Sequence, residues 1–158
     1  MLRERLYEKL VPIANRWNEA MGLRERYPGR LDQLSEMCRR VGQRRPLSAV
    51  NRLREGEQQT LRQHAVGECV FALQAAVLLR QPGDDFAGGQ LVMTEQRPRM
   101  QTRPMVVPLQ KGDATVFAVH HRPVKGTKGY YRVNLRHAVS RVRRGERTAL
   151  DFVFHDAP

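Results

Sequence analysis

The chain has 158 residues, 41% of them apolar and 28% charged, the balance of a single globular domain rather than of a disordered chain. No apolar run reaches the roughly 18 residues of a membrane-spanning helix, and Met1-Leu2-Arg3-Glu4-Arg5 leads into an amphipathic pattern with acidic residues rather than a secretory leader. A formal net charge of +12 and a pI near 10.9 favour anionic partners such as nucleic acid.

In chain order, residues 2–26 predict a helix. Leu2, Leu6, Leu10, Ile13, Trp17, Ala20 and Met21 fall on one face, and Pro12 is expected to kink or split it. Tyr27-Pro28-Gly29 is a turn signal. Residues 30–41 predict a second helix with Leu31, Leu34, Met37 and Cys38 on one side and Gly42 as its cap. Residues 43–66 are poorly patterned: 47–53 are compatible with a strand, and 55–63 read as a loop or a helical turn.

After Gly67 the texture changes. A long apolar run covers 69–79, and short segments rich in β-branched or aromatic residues follow at 89–94, 105–109, 115–120, 130–135 and 149–154. Turn signals separate them at 82–85, 111–113, 125–129 and 144–146. Short strands at close intervals predict a sandwich or barrel. The expected organisation is α+β: a helical part over 1–45, then a β-barrel over 46–158, within one domain.

Cys38 and Cys69 form no CxxC, and the histidines have no zinc-finger spacing. Two thiols are expected rather than a disulfide, as suits a reducing cytoplasm. The basic residues cluster only at Arg39-Arg40, Arg44-Arg45 and residues 141–147. Elsewhere they are dispersed, which fits a solvated basic surface equally well.

Three blocks in a fixed order carry a resemblance: 83–92, with Gly88-Gly89-Gln90-Leu91; 108–117, with Gly112-Asp113 and Phe117; and 137–147, from His137 to Arg147. Together they resemble the prolyl-hydroxylase-like branch of the Fe(II)/2-oxoglutarate-dependent oxygenases. The segments 94–100, 120–124 and 154–157 are more narrowly similar to a bacterial oxygenase family described as acting on damaged nucleic acid. This narrow resemblance covers residues 10–45 and 67–157.

The resemblance implies a double-stranded β-helix, jelly-roll or cupin-like, that uses Fe(II) and 2-oxoglutarate. Oxidative decarboxylation of 2-oxoglutarate would be coupled to hydroxylation or dealkylation of a second substrate, of which a damaged base is one candidate. Such enzymes hold non-haem iron by two histidines and one carboxylate. His137 maps onto the late metal histidine. Arg147 maps onto the arginine that grips the far carboxylate of 2-oxoglutarate through paired hydrogen bonds.

The chain departs from the family at its first metal motif. The His-x-Asp pair falls on Arg62 and His64. A guanidinium stays protonated and has no lone pair to offer, so His64 is left as the other metal candidate. Glu57, Glu68 and His120 are possible replacements without the family's spacing.

Members of the resembling family also carry a further N-terminal stretch, so the chain is expected to be truncated relative to them. Arg97, Arg99, Arg103, Arg122, Lys125, Lys128, Arg141, Arg143 and Arg144, with Tyr130 and Tyr131, offer a phosphate-binding groove with stacking aromatics. The alternatives to an active dioxygenase are an inactive paralogue that binds nucleic acid and a truncated product without function.

Overall fold

The computed structural model describes residues 1–158. Two helices, α1 (Leu2–Ala20) and α2 (Leu31–Arg40), come first. Then follow β1 (Arg45–Pro46), β2 (Ala49–Arg54), β3 (Gln59–Arg62), β4 (Leu73–Leu78), β5 (Phe86–Gly88) and β6 (Leu91–Gln96). β7 (Arg103–Val107), β8 (Ala114–Ala118), β9 (His121–Gly126), β10 (Gly129–Val139), β11 (Val142–Val153) and β12 (Asp156–Ala157) complete the chain. The α+β order of helices before strands is as expected, and no helix is long and apolar enough to cross a membrane.

Ten of the strands form two five-stranded antiparallel sheets, and β1 pairs with β12. One runs β3-β10-β6-β7 with β9 also paired to β10; the other runs β2-β11-β4-β8 with β5 also paired to β11. Alternate residues on a strand point to opposite faces, and this alternation separates two cores. Leu53, Ala76, Leu78 and Phe117 from the second sheet pack with Leu91, Met93, Val133, Leu135 and Val139 from the first, so the sheets are stacked face to face. Leu73, Ala75, Phe152 and Phe154 lie on or beside the outer face of the second sheet and pack with Tyr7, Leu10, Leu34 and Cys38 of the helices.

Tyr7 and Phe71 anchor that outer core with ring centroids 4.9 Å apart, and the Tyr7 hydroxyl donates to Pro28 O at 2.7 Å. The buried face of α1 is Tyr7, Leu10, Val11, Ala14 and Asn18, rotated from the expected stripe, and Leu2 is exposed. Pro12 does not split α1, because its missing N–H removes only one bond of the helical ladder. α1 stops short of the expected residue 26. Gly22 takes φ +71°, and Leu23 N–H turns back to Asn18 O. α2 matches its expected extent, and Gly42 at φ +80° follows it as the expected cap.

Four β expectations are corrected. The polar stretch 55–63 is not all loop, since it holds β3, a short edge strand on β10. Only the second half of the apolar run 69–79 is strand. Residues 121–126, not anticipated as a strand, pair with β10 as a hairpin although Pro123 lies inside them. The expected turn at 144–146 lies within β11, where pairing to β5 slips in register between Val142 and Arg144.

Gly145 makes that last departure possible. It sits at φ +73°, and a Cβ there would come within 2.0 Å of Asp85 O. Gly145→Ala is therefore expected to destabilise the fold by about 2 kcal/mol or more, from left-handed strain plus a backbone clash. Urea-denaturation midpoints test this; an unchanged midpoint would mean that the β5–β11 edge gives way freely.

Candidate functional site

The interior between the sheets holds the polar cluster. His137 on β10 lies in register with Arg62 on β3, so both side chains point to the same face. His64 follows just beyond β3. Gln63 secures that end, its Nε2 donating to Asn134 Oδ1 and Leu135 O, both at 2.6 Å.

Gln74 reaches across from β4. His64 Nδ1 donates to Gln74 Oε1 at 2.7 Å, and Gln74 Nε2 donates to His137 Nδ1 at 3.5 Å. The His64 and His137 rings are 5.1 Å apart. The structure thus brings together the two histidines singled out from the sequence. Burial, reinforced by the His64 and Arg62 charges, pushes His137 down to about 3, so it is a neutral imidazole.

Arg147 lies in the middle of β11, not in a turn, and its side chain is buried with 3% relative exposure. Its Nε has no hydrogen-bond partner, and no carboxylate pairs with it. Burial lowers its pKa, against the raising effect of Asp151. A cavity of about 200 Å³ opens on it, lined by Leu78, Phe86, Leu91, Val107 and Leu109.

Gly89 of the 83–92 block makes room for this arginine, and Gly88 lets the backbone beside it approach β11 closely. A Cβ on Gly89 would stand 3.0 Å from Arg147 Cδ, and one on Gly88 would stand 2.3 Å from Arg141 O.

Asp151 was not among the sequence candidates. It follows Arg147 on the same face of β11 and receives a hydrogen bond from Asn51 Nδ2. Burial raises its pKa, and Arg62, Arg147 and His64 oppose that rise without cancelling it. Its even spacing from Arg147 was the available signal. Gln74 was equally detectable, as a lone polar residue inside an apolar strand.

The proposed replacement ligands are placed elsewhere. Glu57 and Glu68 are exposed, and Glu57 accepts the Arg54 N–H in a turn. His120 stacks on His121, with centroids 4.4 Å apart. No three His, Cys, Asp or Glu side chains gather at metal-binding distance. With a guanidinium at the first ligand position and no third donor gathered with the two histidines, the residues present do not fit Fe(II). They do fit a carboxylate at Arg147.

His155 supports the His64 segment from behind. It is fully buried, accepts the Phe71 N–H at Nδ1 (3.2 Å) and donates from Nε2 to His64 O (2.7 Å). Burial is the main cause that lowers its pKa from 6.5 to about 4. The unfolded chain therefore binds the extra proton first, and stability present above pH 6.5 is lost as pH falls towards about 4. The expected loss from this group is up to about 3 kcal/mol. Urea midpoints near pH 7 and near pH 4.5 test it; equal midpoints would mean that His155 is not held neutral.

The basic residues do not form one continuous groove. Arg97 and Arg122 both pair with the buried Glu95. Burial raises the Glu95 pKa, but the two arginines outweigh it and hold the carboxyl below its usual range. Arg144 donates to Gly83 O. Arg99 remains on the rim of a polar cavity of about 240 Å³ with Arg97, His121 and Arg132. The largest cavity, about 570 Å³, is a different one; Tyr27, Cys69, His120 and Arg132 help to line it, and Arg147 does not. Cys38 and Cys69 remain free thiols with Sγ atoms 3.3 Å apart, and burial pushes Cys69 up to about 12.

These features define a two-sheet antiparallel protein with a buried cationic interior. Residues 1–157 match the family described as "Oxygenase, catalysing oxidative methylation of damaged DNA", and the chain belongs to that family, Oxygenase-NA. Two uncharacterized proteins of Mycobacterium tuberculosis, strains H37Rv and CDC 1551, are each 36% identical over 156 residues, spanning 99% of this chain and 67% of theirs.

Among solved structures, an oxidoreductase of the 2OG-Fe(II) oxygenase family from Burkholderia pseudomallei is 21% identical with a TM-score of 0.47. The match covers 68% of this chain and 42% of that one, so the chain spans less than half of the Burkholderia protein. A Pseudomonas putida prolyl-4-hydroxylase is 15% identical with a TM-score of 0.49 over 80% of both chains.

Proposed function

We propose that the chain is a double-stranded β-helix protein that binds 2-oxoglutarate at Arg147 and damaged DNA through its basic surface. In this reading residues 46–158 form the β-helix core and residues 1–45 brace its outer face, within one domain. The observation that carries it is the unpartnered guanidinium of Arg147, buried in its own cavity. An unpaired buried cation is costly, and a carboxylate offers it two parallel charge-assisted hydrogen bonds. Fe(II) belongs to the family's chemistry, but Arg62 stands where a donor is required, so no catalytic step is assigned to a metal. His137 and His64 remain as two nitrogen groups facing the interior. The protein then acts by binding.

A second reading, oxidative turnover coupled to decarboxylation of 2-oxoglutarate, is favoured by the family match over residues 1–157. One titration separates the two. Under anaerobic conditions with Fe(II) and 2-oxoglutarate, the binding reading expects no visible charge-transfer band and no succinate on admission of air. It also expects DNA binding that weakens steeply with salt and is indifferent to iron. A band followed by succinate would establish turnover instead, and no binding of 2-oxoglutarate under any condition would remove both.

A further inference from the structure

The place of a metal in this interior is taken by a side chain that carries its own positive charge. Arg62 projects from β3 opposite His137, and its Nη2 donates to Gln59 Oε1 at 2.9 Å. Its Nε is buried and has no partner, the same condition found at Arg147. Asp151, on the Arg147 face of β11, feels the charge of both guanidiniums, pairs with neither and takes its N–H bond from Asn51. Hydrogen-bond donors are left over at two separated points of one interior. An anion with a single charged end would satisfy one of them; a diacid would satisfy both.

We infer that Arg62 replaces the metal ion, so that the interior binds a small dicarboxylate between Arg62 and Arg147 without any metal. The inference rests on the reading of Arg147 as a carboxylate site and adds the second end. Arg147 projects from β11 and Arg62 from β3, so the two guanidiniums approach from opposite sheets. Each end would gain the planar two-point geometry that a guanidinium offers a carboxylate. His64, His137 and Gln74 would lie alongside as polar neighbours. The Gln59 bond holds Arg62 without neutralising it, since an amide oxygen carries no net charge.

The test is calorimetric titration of the full chain with 2-oxoglutarate and with succinate, in excess EDTA and then with Fe(II). Acetate and inorganic phosphate serve as single-ended probes. The expected result is that both diacids bind in EDTA, that Fe(II) does not tighten them, and that acetate and phosphate bind at least about tenfold more weakly. Arg62→Gln should weaken diacid binding about tenfold or more in EDTA, and Arg62→Lys should recover part of the loss. Thermal melts of both variants establish that they are folded, and the lysine variant keeps the charge if the glutamine variant unfolds.

Binding that appears only with Fe(II), phosphate that binds as tightly as the diacids, or an Arg62→Gln variant with unchanged affinity would each overturn the inference. If Arg62→Gln leaves affinity intact while Arg147→Ala removes it, the single-ended Arg147 site stands and the second end fails. If the wild-type chain binds neither diacid in any condition, the Arg147 reading fails as well.

Discussion

Arg62→His combined with His64→Asp is expected to create an Fe(II) site where the wild-type chain has none, raising iron affinity by at least about 100-fold. Even a change one shell removed from a metal is worth roughly 10- to 100-fold, and here one direct donor is gained, a histidine is exchanged for a carboxylate and a cation is removed. The backbone already favours the result. Positions 62 and 137 are in register on adjacent strands, and residue 64 lies close enough for its ring centroid to be 5.1 Å from that of His137. The new carboxylate would meet the Gln74 amide, which turns about its last bond and donates Nε2 where Oε1 now accepts from His64. Anaerobic titration with Fe(II) and 2-oxoglutarate gives the reading through the charge-transfer band. Binding of 2-oxoglutarate in this variant should also become iron-dependent. If the folded double variant gains no iron affinity, the obstacle lies outside positions 62 and 64, with the Gln74 bridge the first place to look.

Arg147→Ala is expected to lower 2-oxoglutarate affinity by about 100-fold or more, since each hydrogen bond to a charged group contributes roughly 1.5–3 kcal/mol and two are lost. The fold should survive. Truncation breaks no ion pair, its Nε has no protein partner, and the strand pairings of β11 are made by backbone. Asp151 loses one of the cations that restrain its raised pKa, and a space opens beside Gly89. These losses oppose the relief of removing an unpaired buried charge, so the melting temperature should move by only a few degrees. Isothermal titration with a parallel melt separates the two effects. Unchanged affinity in a folded variant would remove Arg147 from the ligand site.

Much of the architecture was legible in the sequence. Helical periodicity marked α1 and α2, and the apolar segments after Gly67 marked β4, β6, β8 and β11, which each bury side chains in a core, and also β7, which is almost wholly exposed. The elements that were missed share a physical cause. β3 is polar and β9 contains a proline, so neither advertises a buried face; pairing to β10 makes them strands. The long β11 was hidden by Gly145, which reads as a turn until its close contact with Asp85 shows that it bends a continuous strand.

The interior divides in the same way. Arg62, His64, His137 and Arg147 could be singled out from residue types and order alone, since the ability of each side chain to hold a metal or a carboxylate is intrinsic to it. Gln74 and Asp151 could not be assigned to the cluster until β4 and β11 were packed opposite β3 and β10. The sequence by itself determined which groups carry charge and which cannot coordinate iron. Only the tertiary structure decided that Arg62 and Arg147 share one interior with Asp151, because burial and proximity arise from strand register and sheet stacking between residues far apart in the chain.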